Sequence, residues 1–153
     1  MSARATPATR VAEEAGIPYT LHAYEHDPTA DSFAQEAATA LDVDPARVFK
    51  TLVVTVGDEL RVCILPASSS LDLRSLGKHA ALAPTGRAET VTGYVVGGIS
   101  PLGQRRALPT LLDESALNFE TIFVSAGRRG LEIELTPSDL ARLTGARFAA
   151  IGR

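Results

Sequence analysis

The chain has 153 residues, of which 45% are hydrophobic and 22% charged, and it contains one cysteine. The length and composition predict one globular domain over residues 1–153 and exclude a disordered chain. A single cysteine excludes an internal disulfide and fits a protein of a reducing compartment. With a formal net charge of −3, the chain is unlike proteins that hold DNA or RNA on a broad basic face, so we expect an RNA ligand to be gripped over a small area only.

The sequence pattern also argues against a membrane or secreted protein and against a metal site. No apolar run reaches the roughly 20 residues of a membrane helix, and the N-terminus lacks the apolar core of a secretory signal, so we expect a cytoplasmic protein without a membrane partner. The three histidines are scattered without metal-ligand spacing, so we expect neither a metal nor a cofactor.

Capping and turn residues divide the first half of the chain into short elements. In chain order we predict a helix from Thr6-Pro7 to Gly16, a strand over 19–24, a helix from Ser32 to Leu41, a turn from Pro45, and strands over 51–56 and 60–65. Ser32 and Gln35 have the spacing of a capping box. Gly57-Asp58 joins the last two runs and predicts an antiparallel hairpin.

The second half mixes strands with short helices. We predict helices over 70–79 and 87–92, strands over 94–99, 106–112, 121–125 and 131–135, a helical turn over 114–117, a helix from Thr136 to Gly145, and an edge strand over 147–151. Strands therefore occur both in hairpins and separated by helices. This arrangement favours an α+β fold with a mixed sheet surrounded by helices over a repeating βαβ pattern.

The stretch Gly93-Tyr94-Val95-Val96-Gly97-Gly98-Ile99-Ser100-Pro101-Leu102-Gly103 interrupts an otherwise apolar strand. Glycine weakens a strand and leaves no side chain to pack, so the Gly97-Gly98 pair predicts a bulge or backbone that a ligand approaches closely. A tight connection between two strands is the alternative.

Lys50 is the strongest candidate for a catalytic or ligand-binding residue, because it stands between apolar Phe49 and a β-branched strand. It is either a side chain that extends along the surface from a strand end, or a partly desolvated ammonium. Such an ammonium binds a phosphate or an ester oxygen, or acts as a base if its pKa is depressed.

No protein nucleophile is evident. Cys63 lies in an apolar strand and is predicted to be core, and the serines lie outside a nucleophile elbow. Tyr24 and His26 are candidates to line a pocket, whereas His22 is expected at the surface. Arg128-Arg129, between two glycines, predicts either a phosphate-binding turn or ordinary surface arginines.

Four segments together resemble the YbaK family of free-standing prolyl-tRNA editing proteins, specifically the Cys-tRNA(Pro) deacylases. They are Tyr24-Glu25-His26-Asp27, Val48-Phe49-Lys50-Thr51, Gly-Gly-Ile-Ser-Pro-Leu-Gly-Gln at 97–104, and the glycine-rich turn and strand at 125–135. The likeness runs from about Thr6 to Ile151, with the motifs in the family's order. It implies a curved, partly barrel-like mixed sheet flanked by helices.

The resemblance also directs attention to particular residues. The lysine that matches Lys50 is the family residue most closely tied to activity, and Glu132 stands where many relatives carry aspartate. The catalytic residues predicted from the sequence and this resemblance are Lys50 and Gly98. The predicted substrate-binding residues are Tyr24, Phe33, Thr51, Gly97, Ile99, Ser100, Ser125, Arg129 and Glu132.

The activity implied by the resemblance is trans-editing of mischarged Cys-tRNA(Pro), in which the substrate thiol attacks its own ester. The protein would touch the acceptor end of the tRNA, with prolyl-tRNA synthetase supplying further affinity in a ternary complex. Two alternatives stay open on the sequence: an Ala-tRNA(Pro) deacylase, in which water attacks, and a non-catalytic module that binds a nucleotide or the 3′ end of tRNA.

Overall fold

Capping residues set the ends of the helices in the structure, a computed structural model that describes residues 5–27, 29 and 32–153. The helices are α1 (Pro7–Ala15), α2 (Phe33–Leu41), α3 (Thr85–Thr92) and α4 (Pro137–Thr144), with single 3-10 turns at Leu73–Leu76 and Glu114–Asn118. Thr6, Ser32 and Thr136 each accept a backbone N–H as N-caps, as predicted. The Gln35 amide donates to the Ala67 carbonyl and so ties α2 to the loop after β3.

The strands form two sheets. They are β1 (Thr20–Ala23), β2 (Phe49–Val56), β3 (Glu59–Pro66), β4 (Ala81–Leu82), β5 (Thr110–Asp113), β6 (Ile122–Arg128), β7 (Leu131–Leu135) and β8 (Arg147–Ala149). One sheet has the order β1-β7-β6 and is antiparallel, and the other has the order β4-β2-β3-β5-β8. The pairs β3/β5 and β5/β8 are parallel, so the prediction of an α+β fold with mixed strand directions is confirmed.

The two sheets meet at the start of β2. Val48 forms a parallel bridge with Phe123 of β6, and the Phe123 N–H donates to the Arg47 carbonyl at 3.1 Å. This bridge connects the two sheets, whereas the curvature and partial closure that the resemblance implies stay predictions. Apolar residues of both sheets share one buried cluster, which includes Phe49, Ile64, Val124 and Ile133.

The predicted strand over 94–99 is wrong. This segment is a loop in which the Gly98 N–H donates to the Val95 carbonyl at 2.8 Å and Gly97 has a φ of 95°. Only glycine adopts such a φ without strain, and the reversal prevents an extended strand. The Tyr94 hydroxyl holds the base of the loop by donating to the Leu102 carbonyl at 2.6 Å.

Several other elements are shorter than predicted, and two of them differ most. The strand predicted over 106–112 covers only Thr110–Asp113, because the N–H of Arg106 donates to the Val91 carbonyl at the end of α3. The helix predicted over 70–79 is reduced to the 3-10 turn at Leu73–Leu76. None of the helices in the described residues combines the length and apolar character that crossing a bilayer requires.

Candidate functional site

A cavity of about 380 Å³ lies where both sheets, α2, α3 and the loop around Gly97 come together. Its polar wall comes from β2, β6, β7 and the end of β1, and its apolar wall comes from β2, β4 and α3. The lining residues are Tyr24, Ser32, Phe33, Ala34, Phe49, Lys50, Thr51, Leu52, Val53, Leu82, Ala83, Thr85, Ala88, Val96, Gly97, Ile99, Ser125 and Glu132.

Most of the predicted site residues share this cavity, although they are distant in sequence. The predicted residues among its lining are Tyr24, Phe33, Lys50, Thr51, Gly97, Ile99, Ser125 and Glu132. The three predicted residues outside the lining are Gly98, Ser100 and Arg129. Several wall residues, including Val53, Leu82, Ala83 and Ala88, went unnoticed in the sequence, because ordinary apolar residues carry no local signal of a binding role.

Lys50 lies near the start of β2 with its ammonium partly buried. Its Nζ donates to the Ser69 carbonyl at 2.6 Å, which fixes one of its three N–H groups. Burial lowers the pKa of the Lys50 ammonium, because the charged form loses hydration there. The side chain therefore presents a cation with unused donors to the cavity.

Glu132 is the most deeply buried acidic residue of the site, with 6% of its surface exposed. Burial raises the pKa of its carboxyl to about 8. It stands opposite His22 of β1 and Ser125 of β6 in the three-stranded sheet. Burial, followed by the nearby Glu132 charge, raises the pKa of the Tyr24 phenol to about 12.

Two hydroxyl groups add polar atoms to the same wall. The Thr51 Oγ1 is buried and has no hydrogen-bond partner among the described residues. The Ser125 Oγ accepts the Gly127 N–H at 3.2 Å, so its own hydrogen can be donated elsewhere. The wall thus combines a cation, a buried acid and hydroxyl groups that a ligand can pair.

The two glycines at 97 and 98 are required by protein contacts. A Cβ on Gly97 would overlap the guanidinium of Arg129, and a Cβ on Gly98 would lie 2.7 Å from the Arg128 Cα. The close approach of the β6–β7 turn therefore accounts for the glycine pair, and the approach of a ligand to this backbone stays a prediction.

Arg129 lies outside the cavity and contacts two residues of its lining, Val96 and Phe33. Its Nε and Nη2 donate to the Val96 carbonyl at 3.2 and 2.8 Å, and its guanidinium lies 4.4 Å from the centre of the Phe33 ring. The cation therefore holds the loop around Gly97 and the start of α2 together. These contacts occupy two of the donors that the predicted alternative, a phosphate-binding turn, would offer to a phosphate.

The other two predicted residues outside the cavity are also engaged. The Gly98 N–H is held by Val95, and the buried Ser100 Oγ accepts the Leu102 N–H at 3.1 Å. No hydrogen bond joins the Gly97 N–H to a described residue. Gly97, which lines the cavity, is therefore the better candidate for a backbone donor.

The remaining polar candidates lie elsewhere. His26 binds Glu36 at 2.8 Å and His22 binds Glu134 at 2.8 Å, and neither lines the cavity. Cys63 is fully buried in β3, and burial raises the pKa of its thiol to about 11. Within the described ranges, no group of three or more acidic, histidine or cysteine side chains is arranged to hold a metal.

Comparison with known proteins assigns the part of the chain that forms this cavity to a protein family. The sequence profile of the aminoacyl-tRNA editing domain matches residues 26–143. The chain belongs to the aminoacyl-tRNA editing domain family. Every residue of the cavity except Tyr24 falls within the matched range. The family predicted from the sequence is confirmed.

Individual relatives of this editing domain agree with the assignment. The chain is 38% identical to EbsC of Enterococcus faecalis, a proposed Cys-tRNA(Pro)/Cys-tRNA(Cys) deacylase, over 95% of this chain and 92% of EbsC. A solved structure of a proposed trans-editing enzyme for prolyl-tRNA synthetase is 25% identical, with a TM-score of 0.85 over 100% of this chain and 99% of the other. A hypothetical protein of known structure, 23% identical with a TM-score of 0.85 over 97% and 100% of the two chains, supports the fold alone.

Proposed function

We propose that the protein is a trans-editing hydrolase that removes cysteine from mischarged Cys-tRNA(Pro). The observation that carries this proposal is the cavity, which brings Lys50, Thr51 and Glu132 together within an aminoacyl-tRNA editing domain. The identity with EbsC extends over most of both chains and supports a cysteinyl ester as the substrate.

The cavity suits a substrate that brings its own nucleophile. The described residues that line it include no cysteine or histidine, and Cys63 is buried away from it. An aminoacyl ester is already activated, so positioning and stabilisation of developing charge can supply most of the required acceleration. A nucleophile from the protein is therefore unnecessary.

In the proposed reaction, the cysteine thiol of the substrate loses its proton and its sulfur bonds to the ester carbonyl carbon. The bond between that carbon and the ribose oxygen breaks, and the ribose oxygen takes up a proton. Cysteine leaves as a cyclic thiolactone, which water then opens to the free amino acid. No bond between protein and substrate forms in any step.

The protein's part is to hold the ester and to stabilise its charge. Lys50, oriented by the Ser69 carbonyl, supplies a cation at the ester or the adjacent sugar-phosphate oxygens. We assign the backbone donor to Gly97, because the N–H of Gly98 is held by Val95. The unpaired Thr51 hydroxyl is available to a ribose hydroxyl or to the ester.

Chemistry rather than size would select the substrate. A cavity of about 380 Å³ is much larger than a cysteine side chain, so it does not exclude other amino acids by volume. Pocket contacts distinguish groups that differ by one methylene by only about 1 to 3 kcal/mol. The requirement for a substrate thiol would exclude alanine and proline outright.

We further propose a ternary complex with tRNA and prolyl-tRNA synthetase. A net charge of −3 argues against strong binding of tRNA by the domain alone. The solved relative described as a trans-editing enzyme for prolyl-tRNA synthetase supports this partner. The complex should appear in co-sedimentation when all three components are mixed, and its absence would contradict this part of the proposal.

The deciding experiment compares amino acid release from Cys-tRNA(Pro), Ala-tRNA(Pro) and Cys-tRNA(Cys), with wild type and Lys50→Ala. We expect rapid release of cysteine only, and a loss of about 100-fold or more in the variant. Release of alanine would instead indicate water attack and an Ala-tRNA(Pro) deacylase. Binding of tRNA without release from any substrate would indicate a non-catalytic module.

A further inference from the structure

Glu132 is a buried carboxyl that faces the cavity without a protein partner. The side chain lines the cavity, and burial is the cause of its raised pKa, with no hydrogen bond or cation to oppose it. No hydrogen bond or ion pair joins the carboxyl to another residue in the described part of the chain. The protein thus leaves an acid at the cavity wall for some other group to pair.

The neighbours of Glu132 on the sheet form no hydrogen bond with its carboxyl in the described part of the chain. Directly paired residues of antiparallel strands project on the same face, which places His22 and Ser125 beside Glu132. His22 Nε2 binds the Glu134 carboxylate at 2.8 Å, and the Ser125 Oγ accepts the Gly127 N–H. His22 is therefore paired with another acid, and Ser125 offers at most a neutral donor, so neither side chain balances a charge on Glu132.

Lys50 is the cationic side chain of the cavity lining, and no hydrogen bond or ion pair joins it to Glu132 among the described residues. Its Nζ binds the Ser69 carbonyl, and burial alone lowers its pKa. Burial alone raises the pKa of Glu132, so neither group offsets the cost of charging the other. The cavity consequently has an acidic position on β7 and a basic position on β2.

With its raised pKa, the Glu132 carboxyl holds its proton at neutral pH in the empty cavity. A cationic ligand group favours the carboxylate, so binding releases this proton to solvent and forms a charge-assisted hydrogen bond. An aminoacyl ester carries one such group, the α-ammonium, on the carbon next to the ester carbonyl. With the ester oxygens at Lys50, the α-ammonium is the part of the substrate that can reach a separate acidic position.

We propose that Glu132 is the subsite for the α-ammonium of the bound aminoacyl group. This inference rests on the proposed function and extends it, because it makes the free amino group a requirement for binding. Esters whose amino group is acylated, such as those of peptidyl-tRNA and formylated initiator tRNA, are then rejected. Editing is confined to free aminoacyl esters.

Stable analogues test the subsite without relying on hydrolysis. We would measure the binding of 3′-deoxy-3′-(cysteinylamino)adenosine and of its counterpart with 3-mercaptopropionyl in place of cysteinyl, which lacks only the amino group. We expect wild type to bind the first at least about tenfold more tightly, as a charge-assisted contact implies. In Glu132→Gln the two analogues should bind within about twofold of each other.

Glu134→Gln is the matched control. Glu134 lies two residues away on the same strand and is held by Arg47 at 2.9 Å and by His22. This variant should keep the preference for the amino group, and thermal unfolding of both variants checks that they are folded. Equal binding of the two analogues by wild type, or no binding of the cysteinyl analogue at millimolar concentration, overturns the subsite.

The deacylation assay judges the proposed function separately. If wild type prefers the amino analogue but releases no amino acid from tRNA, the subsite stands and the hydrolase proposal fails. If cysteine is released and the preference is absent, the hydrolase stands and the Glu132 subsite fails. An unchanged preference in Glu132→Gln also rejects it.

Discussion

The guanidinium of Arg129 fills the space beside Gly97 and binds the carbonyl of the preceding residue, Val96. The cavity wall formed by this loop is therefore held from outside by a residue that does not line it. Arg129 also contacts the Phe33 ring, so a single cation secures two walls.

We expect Gly97→Ala to displace Arg129 and weaken substrate binding. The new Cβ overlaps the guanidinium, and the φ of 95° costs a non-glycine residue about 1 to 3 kcal/mol. The KM for Cys-tRNA(Pro) should rise more than kcat falls. Arg129→Ala should act similarly, and the double variant should lose less than the sum of both, since both remove the same contact. Fully additive effects would show that the two residues act independently.

Gly98→Ala should destabilise the fold. Its Cβ would lie 2.7 Å from the Arg128 Cα and 2.9 Å from the Arg128 carbonyl carbon, and backbone atoms cannot rotate away. We expect a loss of about 1 to 3 kcal/mol in the free energy of unfolding, measured in urea.

Gly86→Ala provides the control for that measurement. Gly86 lies within α3, its added Cβ has no atom within 4 Å, and its φ is not in the left-handed region. Alanine there should be neutral or stabilise by up to about 1 kcal/mol. Equal effects at positions 86 and 98 would contradict the close packing against Arg128.

Glu132→Gln should change how stability depends on pH. Because burial raises the folded-state pKa of Glu132 from 4.5 to about 8, the native state holds a proton that the unfolded state has released between these values. Wild-type stability should therefore fall across that window, by up to about 1.4 kcal/mol per pH unit from this group. The amide does not titrate.

Thermal unfolding between pH 5 and 9 measures this effect. The variant should melt higher than wild type at pH 8, and the difference should shrink toward pH 5. A difference that stays constant across the range would indicate that Glu132 is ionised in the native state throughout.

Lys50→Met should raise the melting temperature and abolish cysteine release. Below its lowered folded-state pKa, the wild-type ammonium is charged and partly desolvated, a cost that the uncharged side chain avoids. We expect a higher melting temperature at pH 7 and a smaller gain once the pH exceeds the unfolded-state pKa of 10.5, where the wild-type lysine becomes neutral in both states. Cysteine release should be lost, and retention of full activity would remove Lys50 from the site.

Cys63 should be dispensable for activity. The residue is fully buried, and burial raises the pKa of its thiol to about 11, so it is a poor nucleophile at neutral pH. Iodoacetamide should not alkylate the native protein, as judged by its mass, and Cys63→Ala should release cysteine at the wild-type rate. Strong inhibition by either change would argue for a protein thiol in the reaction.

Local signals explain which parts of the fold were predictable. The caps at Thr6 and Thr136 and the turn at Gly57-Asp58 act within a few residues, and the structure has each of them. The apolar residues around Gly97 predict a strand, but the segment forms a loop that packs against the turn at residues 128 and 129.

The site was predictable where its chemistry is unusual. The lysine at the start of an apolar strand is conspicuous by itself, whereas the family resemblance is what singles out Glu132, and both line the cavity. Their roles stay predictions. Contacts of Arg129 with Val96 and Phe33 link distant segments, so the sequence gives no indication that its donors are occupied.

Lys50 and Glu132 belong to different sheets, and those sheets meet near the bridge between Val48 and Phe123. The distance between the Lys50 ammonium and the Glu132 carboxyl therefore depends on how the two sheets are connected. A shift of one sheet relative to the other would change that distance. Substitutions that change the packing of Phe123 should therefore change the rate of cysteine release, although Phe123 does not line the cavity.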